Sequence, residues 1–131
     1  MTSHPTVLVA DDDPILRLVA AQLLEEAGYA YVLAEDGQQA LDHLEKATVD
    51  IVVLDMIMPG KDGVETLRAI KSRWPSLPVL MISAGSRAME PSVLLGVAGA
   101  LGADGVLSKP LSAVRFIAAL EAAAAKARGA A

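Results

Sequence analysis

Residues 51–63 read IVVLDMIMPGKDG. The first four are apolar without a break, and three of them, Ile51, Val52 and Val53, are β-branched. A strand covered on one face alternates apolar with polar residues. A strand covered on both faces does not. This stretch therefore reads as a central strand of a parallel sheet with helices packed on both sides. It ends abruptly in an acid, Asp55, and Met58-Pro59-Gly60 then marks a turn.

The pattern spreads outward from there. On the N-terminal side, residues 6–10 form a first apolar run. Ile15, Leu18, Val19, Leu23 and Leu24 then recur at three- and four-residue spacing, as one apolar face of a helix would. Asp13 suits the N-cap of that helix, Pro14 its first turn and Gly28 its end. A second strand is expected over 30–34, and a helix over 37–46 with Ala40, Leu41 and Leu44 facing inward. On the C-terminal side, a helix carries Val64, Leu67, Ile70 and Trp74, and Pro75 and Pro78 bracket the next turn. A strand over 79–82, a glycine-rich apolar helix over about 92–101, a short strand over 105–107 and a last helix from 112 to about 128 complete the chain. Alternating strands and helices predict an α/β fold: a doubly wound, five-stranded parallel sheet with helices on both faces. The common order for this class, 2-1-3-4-5, is expected.

Composition narrows the function. The 131 residues suit one domain, with a core expected over about 6–125 and frayed ends. A hydrophobic share of 53% is ample for one core. The net charge of -5, with basic residues scattered rather than clustered, argues against direct nucleic-acid binding. The chain has no cysteine, which excludes disulfides and thiolate metal sites. No basic leader with an apolar core opens the sequence, and no apolar run approaches the roughly 18 residues of a membrane span. A cytoplasmic protein is expected.

In an open parallel sheet, ligands sit outside the carboxyl ends of the strands. The first strand delivers Asp11 and Asp12 to that edge, the third Asp55, the fourth Ser83, and the fifth, after Ser108, Lys109. Three carboxylates so close repel one another unless a cation joins them. Mg²⁺ takes oxygen ligands and works with a few carboxylates and phosphate oxygens, whereas nothing here offers the imidazole or thiolate set of zinc. The set reads as a Mg²⁺ site beside a lysine, which is also how a phosphoryl group is neutralised.

At these residues a resemblance becomes specific. VLVADDDP, VVLDMIMPGKDG, VLMISAG and VLSKPL resemble, in order and spacing, the four signature regions of bacterial response-regulator receiver domains, whose fold is flavodoxin-like. The resemblance covers roughly residues 6–125. It implies that Asp55 accepts a phosphoryl group from a phosphohistidine donor, either a histidine kinase or a histidine phosphotransfer protein. It implies Asp11, Asp12, Asp55 and the main-chain carbonyl of Ile57 as protein ligands of Mg²⁺. Ser83 resembles the switch hydroxyl that moves to the phosphoryl oxygen. Lys109 resembles the lysine that pairs with the aspartate at rest and with phosphate afterwards. Pro110 follows it, in the family often through a cis bond. Such a protein is a phosphorylation-dependent switch rather than an enzyme, with only its own phosphotransfer and autodephosphorylation chemistry, and a monomer or weak dimer. The downstream target is not named by the sequence.

Two features depart from the family. Many receivers carry Tyr or Phe three residues before the lysine as an inward rotor; here Val106 stands there and cannot act as one. The helix expected over 92–102 holds Gly96, Gly99 and Gly102, and each interior glycine costs roughly 1 kcal/mol against alanine. It is therefore marginal, and a shift of this helix is the expected substitute for the rotor. Its apolar residues span more than one face, which suits a partner or a second copy. Asp13 is read as a cap, Asp62-Gly63 as turn chemistry, and Met56 as packing.

Three other functions were weighed. Asp11-x-Asp13 after an apolar strand resembles the opening motif of haloacid-dehalogenase-type phosphatases, but those need an acidic pair after the lysine, and residues 110–131 hold one acid, Glu121. A degenerate receiver serving as an interaction module predicts a lost site residue, and none is lost. Dinucleotide binding fails because no G-x-G-x-x-G follows the first strand.

Overall fold

Each residue step along a strand turns the side chain to the opposite face, so a strand apolar throughout feeds two cores at once. The computed structural model, which describes residues 5–56, 63–83, 96, 99–100 and 102–129, is built on that rule. Five strands, β1 (Thr6–Ala10), β2 (Ala30–Ala34), β3 (Ile51–Asp55), β4 (Val79–Ser83) and β5 (Gly105–Ser108), pair in parallel in the order β2-β1-β3-β4-β5. Four helices join them among the described residues: α1 (Pro14–Glu26), α2 (Gly37–Lys46), α3 (Gly63–Arg73) and α4 (Ala113–Gly129). Val7, Val9, Ile51, Val53, Leu80 and Ile82 enter one core with α1 and α4, where Phe116, the chain's single phenylalanine, is fully buried. Leu8, Val52, Leu54, Val79 and Met81 enter the other with α2 and α3. Every residue of β3 and β4 is buried, which is why residues 51–54 read as an unbroken apolar run.

Local signals set the helix ends. Asp13 caps α1, its side chain accepting from the Ile15 N–H at 2.9 Å. Gly28 closes the same helix at φ 87°, donating to the Glu25 carbonyl while Tyr29 donates to that of Leu24. That pair of bonds is a Schellman motif, and its left-handed residue is why a glycine stands there. Asp36 caps α2 through the Gln39 N–H at 2.8 Å. At the amino edge of the sheet, Asp104 Oδ2 takes both the Lys71 ammonium at 2.8 Å and the Val79 N–H at 2.9 Å. This pins the starts of β4 and β5 to the end of α3. The expected helix over 92–102 lies outside the described residues except at 96, 99, 100 and 102. Positions 96, 99 and 100 are helical, and Gly102 follows at φ 97°.

One expectation is corrected. Of the apolar face of α1 read from Ile15, Leu18, Val19, Leu23 and Leu24, only Leu23 and Leu24 turn inward. Leu16, Ala20, Ala21 and Leu24 are buried, whereas Ile15 and Leu18 are each 66% exposed and Val19 is also exposed. The helix is apolar on two faces, and the smaller side chains of Ala20 and Ala21 allow its close approach to the sheet. Leu24→Ala should lower stability by about 2–5 kcal/mol, the usual cost of emptying a buried leucine site. Leu18→Ala should change it by no more than about 0.5 kcal/mol. Urea unfolding of both variants checks the assignment.

Candidate functional site

The parallel register brings the acids together. Ala10 pairs with Leu54 and Asp55 with Ile82, so Asp11 stands one step past the β1–β3 pairing, beside Asp55. Asp11 is fully buried and held from several sides. Its N–H donates to the Ala34 carbonyl at 3.1 Å, its Oδ1 accepts from the Asp13 N–H at 2.9 Å, and its carbonyl accepts from Arg17 Nη1 at 2.8 Å. Asp55, the last residue of β3, is 5% exposed. Asp12 is exposed, yet one carboxylate oxygen from each of Asp11, Asp12 and Asp55 fits within 4.8 Å of the others.

Lys109 enters from the end of β5. Its Nζ lies 2.9 Å from Asp11 Oδ2 and 3.5 Å from Asp55 Oδ2. The resemblance to receivers implied a resting pair with Asp55; here the ammonium is shared, and Asp11 is the nearer partner. Burial works against the charge on Lys109, but the contact with Asp11 and the charges of Asp55 and Asp11 outweigh it, and the net shift of its pKa is upward. The lysine therefore stays protonated. Ser83 ends β4, buried, and its carbonyl accepts the Lys109 N–H at 2.7 Å. The Lys109–Pro110 bond is cis.

Among the described residues, one ammonium, paired with Asp11 and Asp55, serves a cluster of three carboxylates. Asp11 Oδ2 is buried and, although in ion-pair range of Lys109, has no directional hydrogen bond among the described residues. A buried carboxylate oxygen left with spare acceptor capacity, beside two more carboxylates, fits a hard divalent cation with oxygen ligands. Ile57, expected to add its carbonyl, lies outside the described residues, as do Met58, Asp62 and Gly85. Met56 packs against the core of α2 and α3, as expected. Val106 packs there too, half-buried, in the place of the family's aromatic residue.

The sequence did not single out two residues that shape this site. Arg17 donates to the Asp11 carbonyl from within α1. A lone arginine in an otherwise apolar helical stretch was the signal available, and it is a weak one. Gly63, read as turn chemistry, is the first residue of α3, and its N–H donates to the Met56 carbonyl at 3.1 Å. A Cβ there would fall on the carbonyl oxygen of Asp55 and within 2.7 Å of Met56 Cα. The close approach of α3 to the backbone of Asp55 thus requires a glycine.

The chain belongs to the family of response regulator receiver domains, whose model matches residues 7–121. It is 38% identical over 116 residues to the transcriptional regulatory protein CpxR of Escherichia coli K12, a match covering 88% of this chain and 47% of CpxR. It is likewise 38% identical over 117 residues to the response regulator MprA of Mycolicibacterium vanbaalenii, covering 88% of this chain and 48% of MprA. The chain thus spans about half the length of the curated relatives it matches. Among solved structures, the chemotaxis protein CheY4 of Vibrio cholerae matches with a TM-score of 0.83 at 29% identity, covering 92% of this chain and 99% of that one. NtrX from Brucella abortus matches with a TM-score of 0.86 at 30% identity, over 96% of this chain and 28% of that one. The chain is accordingly a phosphoacceptor receiver module of two-component signalling. These matches lend no support to the phosphatase or degenerate-receiver readings.

Gly63→Ala should be destabilised by about 1–3 kcal/mol, the range for forcing atoms into filled space. Its amide spectrum should change most at Asp55 and Met56. Equal stability and an unmoved Asp55 amide would show that α3 can retreat without disturbing the site.

Proposed function

We propose that Asp55 is the phosphoacceptor, taking a phosphoryl group from a phosphohistidine on a histidine kinase or histidine phosphotransfer protein. The observation that carries this reading is the gathering of one carboxylate oxygen from each of Asp11, Asp12 and Asp55 within 4.8 Å of one another, with the Lys109 ammonium shared by Asp11 and Asp55. A carboxylate oxygen of Asp55 attacks phosphorus, the O–P bond forms, and the P–N bond to the imidazole breaks with its electron pair going to the leaving nitrogen. Asp11 and Asp12, together with Asp55 and the carbonyl of Ile57, are the proposed holders of Mg²⁺. When bound, Mg²⁺ would neutralise charge on the transferring oxygens.

The other side chains act on the product. A phosphoryl group carries roughly −1.5 to −2 charge and three strong acceptor oxygens. Lys109 is already in the pocket and needs only to turn from Asp11 toward the new oxygens. Ser83, at the end of the neighbouring strand, offers a hydroxyl to another. Drawing Ser83 inward pulls on the chain that follows β4, and a partner preferring that arrangement receives the signal. Val106 supplies no ring to this relay, so the readout runs through the backbone after β4. In autodephosphorylation water attacks the phosphorus, the O–P bond to Asp55 breaks, and the carboxylate and inorganic phosphate are released.

The donor needs a place to dock, and the exposed face of α1 is suited to it. Ile15 lies in the first turn after Asp12 and Asp13, and Leu18 one turn further on. Both project from the helix into solvent beside the pocket that the donor histidine must reach. A cytoplasmic location goes with this reading, and no described helix is long and apolar enough to cross a membrane.

Incubation with acetyl phosphate and Mg²⁺, followed by intact mass measurement, should add one phosphoryl group. Asp55→Asn, or chelation of the metal, should prevent it. Phosphorylation of Asp55→Asn to the same extent would rule out the assigned acceptor. Separately, Leu18→Asp should slow transfer from a phosphohistidine protein by about tenfold or more, as losing an apolar anchor does. Its labelling by acetyl phosphate should be unchanged; equal slowing with both donors would remove α1 from the docking surface.

A further inference from the structure

Arg17 sits on the second turn of α1, half-buried, and reaches back past the start of its own helix. Its Nη1 donates to the main-chain carbonyl of Asp11 at 2.8 Å. β1 ends at Ala10, so this carbonyl lies past the end of the strand. Arg17 gives it a donor. The peptide joining Asp11 to Asp12 is planar. Holding its oxygen therefore holds its N–H as well, and with it the direction in which Asp12 leaves the strand. Asp11 itself has further anchors through its own N–H and Oδ1. Asp12 is exposed, so its carboxylate is aimed by backbone direction rather than by packing.

We infer that Arg17 is a positioning residue of the metal site: it fixes the Asp11–Asp12 peptide and so keeps the Asp12 carboxylate within reach of Asp11 and Asp55. Its hydrogen bond goes to the main chain of Asp11 and not to a ligand carboxylate. The inference rests on the Mg²⁺-dependent function proposed above. A second role for the same side chain has the opposite sign. A guanidinium near a divalent site repels the ion, so if charge were its only effect, removing it would tighten binding. Positioning requires that removing it loosens binding.

The test is calorimetric titration of the natural chain, Arg17→Gln and Arg17→Lys with Mg²⁺. Amide spectra are recorded without metal and with Mn²⁺ as a paramagnetic probe. Arg17→Gln should bind Mg²⁺ about tenfold more weakly, the lower end of the usual loss when an outer partner of a ligand is removed. Arg17→Lys keeps a donor and the charge but not the planar fork, and should be weaker by about threefold. The Asp12 amide should move in both variants before any metal is added, and Mn²⁺ should broaden Asp12 less than in the natural chain. Arg17→Gln binding as tightly as the natural chain, or tighter, would overturn the inference, whatever its melting temperature. Should Arg17→Gln fail to fold, Arg17→Lys decides alone, because a purely electrostatic role leaves its affinity unchanged. Failure of the natural chain itself to bind Mg²⁺ would overturn the proposed function and this inference together. Binding by the natural chain that both variants match would overturn this inference only.

Discussion

Three carboxylates gathered within 4.8 Å of one another, two of them sharing the Lys109 ammonium, are the condition on which this protein turns. Left to themselves in water, Asp11, Asp12 and Asp55 would move apart. They are held because Asp55 ends β3 and Asp11 and Asp12 directly follow β1, so moving Asp11 away from Asp55 would strain the β1–β3 pairing. That pairing therefore holds like charges together. Among the described residues the result is a pocket short of positive charge, with one buried acceptor oxygen not satisfied by a hydrogen bond. Such a pocket responds strongly to a divalent cation and to a change of charge on one of its own members, which is what a phosphorylation switch needs.

The supports around the acids follow from that condition. Asp13 is a helix cap that also ties Asp11, through its N–H to Asp11 Oδ1, so the end of β1 and the start of α1 are one hydrogen-bonded unit. Gly63 lets α3 press against the backbone of Asp55 where any side chain would collide. Lys109 is delivered by β5, whose register is fixed one strand away by Ser83 pairing with Ser108. At the opposite edge of the sheet, the Lys71–Asp104 pair joins α3, β4 and β5. The elements that carry Ser83 and Lys109 are thus tied at both ends.

Much of this was readable from residues alone, for a physical reason. Strands covered on both faces leave an unbroken apolar mark, so β1, β3 and β4 are legible together with the polar residues that follow or end them, Asp11, Asp55 and Ser83. β3, β4 and β5 each run one residue further than their apolar runs indicated, to Asp55, Ser83 and Ser108. A polar residue can still pair with the ladder while its side chain serves the site, and hydrophobicity marks only the side chain. The inward face of α1 was misread at Ile15, Leu18 and Val19, though not at Leu23 and Leu24, because the helix is apolar on two faces. Periodicity cannot choose between two apolar stripes on one helix; the sheet chose the one with small residues. Arg17 and Gly63 left almost no trace, because their partners are main-chain oxygens and backbone atoms, which carry no residue type. The Lys109 ammonium was placed correctly at the edge, but its sharing between Asp11 and Asp55 depends on tenths of an ångström that spacing does not encode.

The most direct test of the charge-deficient pocket is an amide NMR titration with beryllofluoride, which stands in for the phosphoryl group, in the presence and absence of Mg²⁺. The account predicts saturable shifts at Asp11, Asp55, Ser83 and Lys109 that require the metal and vanish in Asp55→Asn. Shifts independent of Mg²⁺, or equal in Asp55→Asn, would contradict it.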